Sequence, residues 1–169
     1  MRRITNRIRL PAAKAPTNNS STSTATNSTI KAASTSATSA QKTAPLTPDE
    51  QEKAAYTVAL DAYKKGGAAK AIAPMQTFIK NNPNSVYISN AYFWLAEFYL
   101  AIDPPNFNEA KKNYAIVADR YPNSTRASRS VYQLYNIAKD VENKPTIAAQ
   151  YKTKLLAKYP QSEEAKFFK

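Results

Sequence analysis

Three copies of one short phrase constrain this chain more than any other feature. "NNPNSVYIS" at 81–89, "RYPNSTRAS" at 120–128 and "KYPQSEEAK" at 158–166 place prolines at 83, 122 and 160, at intervals of 39 and 38 residues. A fixed period of that length is the signature of a repeat architecture. Proline bars the residue before it from the helical region, so each phrase reads as the break between one helix and the next. Ser85 and Ser124, two residues on, are placed to cap the helices that follow.

The segments between the breaks carry helical periodicity. "TPDEQEKAAYTVALDAYKKGG" has Thr47 before a proline, acids in its first turn and Tyr56, Leu60 and Tyr63 at helical spacing, and Gly66-Gly67 stops it. "AAKAIAPMQTFIKN" follows with Ala71, Met75, Phe78 and Ile79 on one side. Pro74 inside it removes a hydrogen bond and crowds the carbonyl of Lys70, so that helix is expected to start late or to kink. "SVYISNAYFWLAEFYLA" is apolar around most of its cylinder and should lie between neighbours, with Trp94 in the packing between hairpins. "FNEAKKNYAIVADRY", "TRASRSVYQLYNIAKD" and "PTIAAQYKTKLLAKY" complete three pairs, and "SEEAKFFK" begins a further helix. No strand pattern competes. The expected fold is all-α: a solenoid of three helical hairpins (about 50–84, 85–123 and 124–161) plus a C-terminal stub, occupying 49–169.

Residues 1–48 are of another kind. They are rich in Ala, Ser, Thr, Asn and Pro, and their seven basic residues face no acid before Asp49. Such a stretch cannot bury enough surface to offset backbone ordering, and it reads as a disordered basic tail or linker. Asn19, Asn27 and Asn123 satisfy the glycosylation sequon, as chance supplies in so Ser/Thr/Asn-rich a chain. The formal charge is +12, yet residues 49–169 hold 17 basic and 12 acidic residues. Charge therefore favours anionic partners without identifying one. The chain has no Cys and no His, which removes disulfides, thiolate nucleophiles, Cys/His zinc sites and imidazole catalysis. Its only glycines are Gly66 and Gly67, so it has no phosphate-cradling glycine loop. No run reaches the apolar length of a membrane-spanning helix, and the basic start is not followed by the apolar stretch of a signal peptide.

Aligned on their prolines, the hairpins show the tetratricopeptide pattern. Repeat one gives Ala59, Ala71, Met75, Phe78 and Pro83; repeat two gives Ala96, Ala110, Tyr114, Val117 and Pro122. Repeat three departs, with Tyr135 at the small position and Lys152 at the aromatic one, and Asp103–Asn106 lengthens the turn of repeat two. "ALDAYKKGGAAKAI", "NAYFWLAEFYLA", "VADRYPNS" and "KYPQS" resemble the C-terminal repeat domain of the Tol-Pal system protein YbgF, or cell division coordinator CpoB, family, over about 50–169. Gly67 and Ala68 stand where that family shows an acid and an aromatic. The resemblance implies a periplasmic, non-enzymatic adaptor with no cofactor. Its repeat domain binds TolA and helps coordinate outer-membrane constriction with septal peptidoglycan synthesis in cell division. It also implies an upstream signal peptide and a trimerising coiled coil.

Arrays of this size present a concave face lined by the first helix of each hairpin. Counted from the small position, the expected groove residues are Tyr56, Leu60, Tyr63 and Lys64, then Asn90, Phe93 and Glu97, then Arg129, Tyr132, Asn136 and Lys139. For Tyr56, Tyr63 and Phe93, core packing competes with partner contact. Glu97 is expected to pair with a Lys or Arg; as a catalytic acid it lacks a second carboxylate and any His. Two other readings stand beside the adaptor. One is a repeat subunit of outer-membrane protein assembly. The other is a nucleic-acid or anionic-membrane binder using the basic tail, whose charges thin out after Arg9 and are not interleaved with aromatics.

Overall fold

A computed structural model describes residues 46–168. The expectation of a disordered tail, with the sequons at Asn19 and Asn27, falls on residues outside that range. The described residues form six helices: α1 (Pro48–Asn81), α2 (Ile88–Ala101), α3 (Phe107–Arg120), α4 (Ala127–Asn136), α5 (Pro145–Lys158) and α6 (Glu163–Lys166). A π-helical turn, Ile137–Val141, extends α4. There is no strand among the described residues.

α1 is two helices in one run. Thr47 opens it with a full capping box: its side chain accepts from the Glu50 N–H, and its own N–H donates to Glu50 Oε2 at 2.8 Å. Gly67 then leaves the helical region at φ 75° and ψ −174°, a conformation open almost only to glycine. Tyr56 and Phe78 sit eleven residues either side of it. A straight helix would hold them about 33 Å apart, yet their ring centroids are 5.4 Å apart. The chain has doubled back at Gly67 into the first hairpin. Pro74 lies within the second arm without interrupting it, since only Gly67 departs from helical dihedrals.

The second hairpin is α2 with α3, and the third is α4 and its π turn with α5. Asn106 closes the longer turn of hairpin two: its N–H donates to Tyr99 O at 2.8 Å and its side chain accepts from the Glu109 N–H, capping α3. Alanines at the crossings let backbones approach: Ala59, Ala71, Ala96, Ala110 and Ala148 are all buried. Met75, Phe78, Tyr114, Val117 and Leu155 fill the space between layers. Each such side chain contributes about 1.5–3 kcal/mol on burial. At the departing positions of repeat three, Tyr135 is half-buried, and exposed Lys152 holds its Nζ 5.1 Å from the Phe168 ring.

The recurring phrase has one backbone conformation. Asn82, Tyr121 and Tyr159, each just before its proline, have φ near −130° and ψ near 50–60°. Each donates its N–H four residues back, to Phe78, Val117 and Leu155. The serines at 85, 124 and 162 then donate to the carbonyls of 82, 121 and 159. Their own carbonyls accept from the N–H groups of 88, 127 and 165.

The side chains of those serines differ. Ser85 and Ser124 do not cap the helices after them: α2 starts at Ile88 and α4 at Ala127, each preceded by a helical residue with no side-chain cap. An intervening turn at 86–87 and 125–126 puts both serines too early. Ser162 is a true N-cap, accepting from the Ala165 N–H.

Candidate partner-binding face

The first helices of the hairpins meet at three junctions. At each, the residue four beyond the loop proline lies against the preceding hairpin's first helix. Tyr87 stacks on Tyr56 with centroids 5.0 Å apart. The Arg126 guanidinium carbon lies 4.9 Å from the Phe93 centroid and 5.7 Å from that of Trp94, while its Nε donates to Asn90 Oδ1 at 2.9 Å. Glu164 accepts an ion pair from Arg129 at 3.9 Å. Ring on ring, cation on ring, and ion pair thus follow one another along the array.

One turn further along α2, Glu97 is 7% exposed. Its expected cation is absent. Oε1 instead accepts from the buried Tyr114 hydroxyl at 2.6 Å and from Gln133 Nε2 at 3.1 Å. The carboxylate thus ties together both helices of hairpin two and the first helix of hairpin three. These two donors satisfy it without a cation, and Arg129, whose charge acts on the Tyr114 hydroxyl, pairs with Glu164 instead. Burial and the facing carboxylate push the Tyr114 hydroxyl well above its ordinary value. Burial pushes the Tyr56 hydroxyl up to about 12, against the pull of the Arg126 charge.

The expected groove residues divide accordingly. Phe93 is 3% exposed and, like Glu97, is spent on packing rather than offered to a partner. Tyr56 and Tyr63 are half-buried, Tyr63 stacked 5.0 Å from Phe98, and Leu60 packs on the same core. Lys64 is exposed and pairs only with Asp61, one turn back. Asn90 is half-buried and holds Arg126. Asn136 donates to Gln133 at 3.4 Å, extending the polar row begun at Glu97. Tyr132 stacks 5.4 Å from Phe167 of the C-terminal stub. Lys139 is exposed, with its Nζ 5.7 Å from the Tyr135 ring.

The structure therefore joins Asn90, Phe93 and Glu97 to α4 and leaves Lys64 and Lys139 standing free of that cluster. Arg126 and Gln133, which hold it together, are absent from the sequence-derived set. Arg126 falls within the second copy of the repeated phrase, at the start of an expected helix, where its neighbours in sequence give it no contact role. Its place four beyond the proline, shared with Tyr87 and Glu164, was the available signal. Trp94 is half-exposed and stacks on Phe98 at 6.2 Å, packed against the core as expected.

The tetratricopeptide repeat family matches residues 90–124, which covers most of α2, all of α3 and the loop up to Ser124. No curated protein matches the chain. The hairpin series and that match define a tetratricopeptide-like helical solenoid, a class of protein–protein interaction module. No helix among the described residues is long and apolar enough to cross a membrane.

Proposed function

We propose that this chain is a non-enzymatic periplasmic adaptor whose first-helix face captures TolA. In that role it helps couple outer-membrane constriction to septal peptidoglycan synthesis. The observation that carries the binding role is the row formed by Asn90, Arg126, Gln133 and Asn136 beside half-exposed Trp94. It is a mixed polar and aromatic surface, held in place by its own hydrogen bonds, of the composition that anchors protein partners. TolA in particular is supported by the likeness of "NAYFWLAEFYLA" and its neighbouring phrases to the YbgF/CpoB repeat domain.

Calorimetry of the full chain with the C-terminal domain of TolA from the same source tests this. A saturable heat at micromolar concentrations is expected, weakened by Asn136→Ala. Absence of heat at tens of micromolar removes TolA as the partner. Unchanged affinity in Asn136→Ala moves the contact off the α2–α4 row.

A further inference from the structure

The second junction of the array holds a cation without its anion. At the third junction Arg129 is matched by the array's own Glu164. At the second, Arg126 spends only its Nε–H, on the amide oxygen of Asn90. Its terminal amino groups make no hydrogen bond or ion pair among the described residues. An unpaired guanidinium fork matches a planar oxyanion, which can take two parallel N–H bonds from it.

This cation is already fixed in place. The rings of Phe93 and Trp94 flank it and Asn90 holds its Nε, so little side-chain freedom is left to lose on binding. It is also half-exposed, as are Asn90 and Trp94, so a ligand can reach the cluster. A second donor stands with it. The Arg126 charge and the Trp94 indole N–H both bear on the Tyr56 oxygen. The proton of that half-buried hydroxyl has no acceptor among the described residues. Three first helices thus bring donors to one spot: Tyr56 from α1, Trp94 from α2 and Arg126 from the start of α4. The one acceptor among them, Asn90 Oδ1, is spent on Arg126 itself.

We propose that Arg126 and the Tyr56 hydroxyl bind the carboxylate of an acidic side chain in an extended partner segment, and that Trp94 receives the segment's apolar neighbour. One cation balances one carboxylate. A phosphate dianion or a nucleic-acid backbone needs further free cations, and the other arginine of this face, Arg129, is already paired. The face runs on from the site to Leu60 on α1 and to Gln133 and Asn136 on α4, which suits a chain that passes over it rather than one that ends in it. The inference rests on the first-helix face being the binding face and specifies what that face binds, whether or not TolA carries it.

Trp94 is the only tryptophan of the chain, so its fluorescence reports on the site directly. The full chain is titrated at constant ionic strength with acetyl-Leu-Glu-Leu-amide, acetyl-Leu-Gln-Leu-amide and inorganic phosphate. A saturable change in emission is expected with the Glu peptide. The Gln peptide on the unaltered protein, and the Glu peptide on Arg126→Gln, should each bind at least about tenfold more weakly. Tyr56→Phe keeps the ring against Phe78 and Tyr87 and should weaken the Glu peptide about threefold. Equal binding of the two peptides overturns the assignment, and needs no variant to show it. So do tighter binding of phosphate, no saturable change below about 10 mM peptide, or unchanged affinity in Tyr56→Phe. Heat from TolA without peptide binding removes this acid site alone; peptide binding without heat from TolA upholds the site and removes TolA alone.

Discussion

Arg126 covers the face of Phe93, 4.9 Å from its centroid, and is held there by Asn90. The pair locks hairpin three onto hairpin two. Truncation to Arg126→Ala should cost about 1–2 kcal/mol, the sum of a partly desolvated cation–ring contact and a hydrogen bond. Arg126→Lys should recover only part of it, since an ammonium cannot reach Asn90 and both rings in one geometry. Urea denaturation followed by helical circular dichroism measures both, and a midpoint equal to wild type in Arg126→Ala would show the contact to be idle.

Glu97 should tolerate loss of its charge far better than loss of its oxygen. Glu97→Gln keeps an acceptor for the buried Tyr114 hydroxyl, whereas Glu97→Ala orphans that hydroxyl and Gln133 together. We expect Glu97→Ala to lose about 2–4 kcal/mol and Glu97→Gln less than half of that. Equal losses would mean that volume, not hydrogen bonding, sets the cost.

Alkaline pH should unfold the protein through its tyrosines. The hydroxyls of Tyr56, Tyr99, Tyr114 and Tyr159 are all held above the ordinary value of 10.0, chiefly by burial. Each folded pKa exceeds the unfolded one, so the unfolded chain loses its protons first. The stability from these groups is complete below pH 10 and falls as pH rises through 10 toward the folded values, about 12 for Tyr56. Denaturation midpoints at pH 8, 10 and 11 measure this, and Tyr56→Phe should flatten the alkaline decline.

The two glycines should answer oppositely to alanine. Gly67→Ala forces a side chain into a φ of 75°, at a cost of about 1–3 kcal/mol. Gly66 is helical, and a Cβ there collides with the Cγ–Cδ stem of exposed Lys70, which must swing to another rotamer, so Gly66→Ala should be near neutral or stabilise by up to about 1 kcal/mol once that side chain has moved. Thermal midpoints of the two variants decide it; similar shifts would contradict the position of the bend.

The helices and breaks were legible because they are written locally. Prolines 83, 122 and 160 fix the dihedrals before them, Thr47 and Glu50 lie one turn apart, and Gly67 supplies the one backbone angle a hairpin needed there. The junctions were not, because their partners are remote: Glu97 meets Tyr114 and Gln133 across 17 and 36 residues, and Arg126 meets Asn90 across 36. Helix starts slipped by a turn at Ser85 and Ser124: Ser85 Oγ takes the Tyr87 N–H and Ser124 Oγ has no partner, whereas Ser162 caps its helix. The π turn after Asn136 left no mark in the residue pattern.

The changing chemistry of the junctions gives the array a polarity under salt. Stacked tyrosines at 56 and 87 are indifferent to ionic strength. Arg126 over its rings is only partly shielded. The Arg129–Glu164 pair, at 3.9 Å, lies inside the Debye length of about 10 Å at 0.1 M and is screened only toward 1 M salt, where that length falls to about 3 Å. Molar salt therefore weakens only the ionic part of the last junction, while Tyr132 and Tyr135 against Phe167 and Phe168 keep the stub docked.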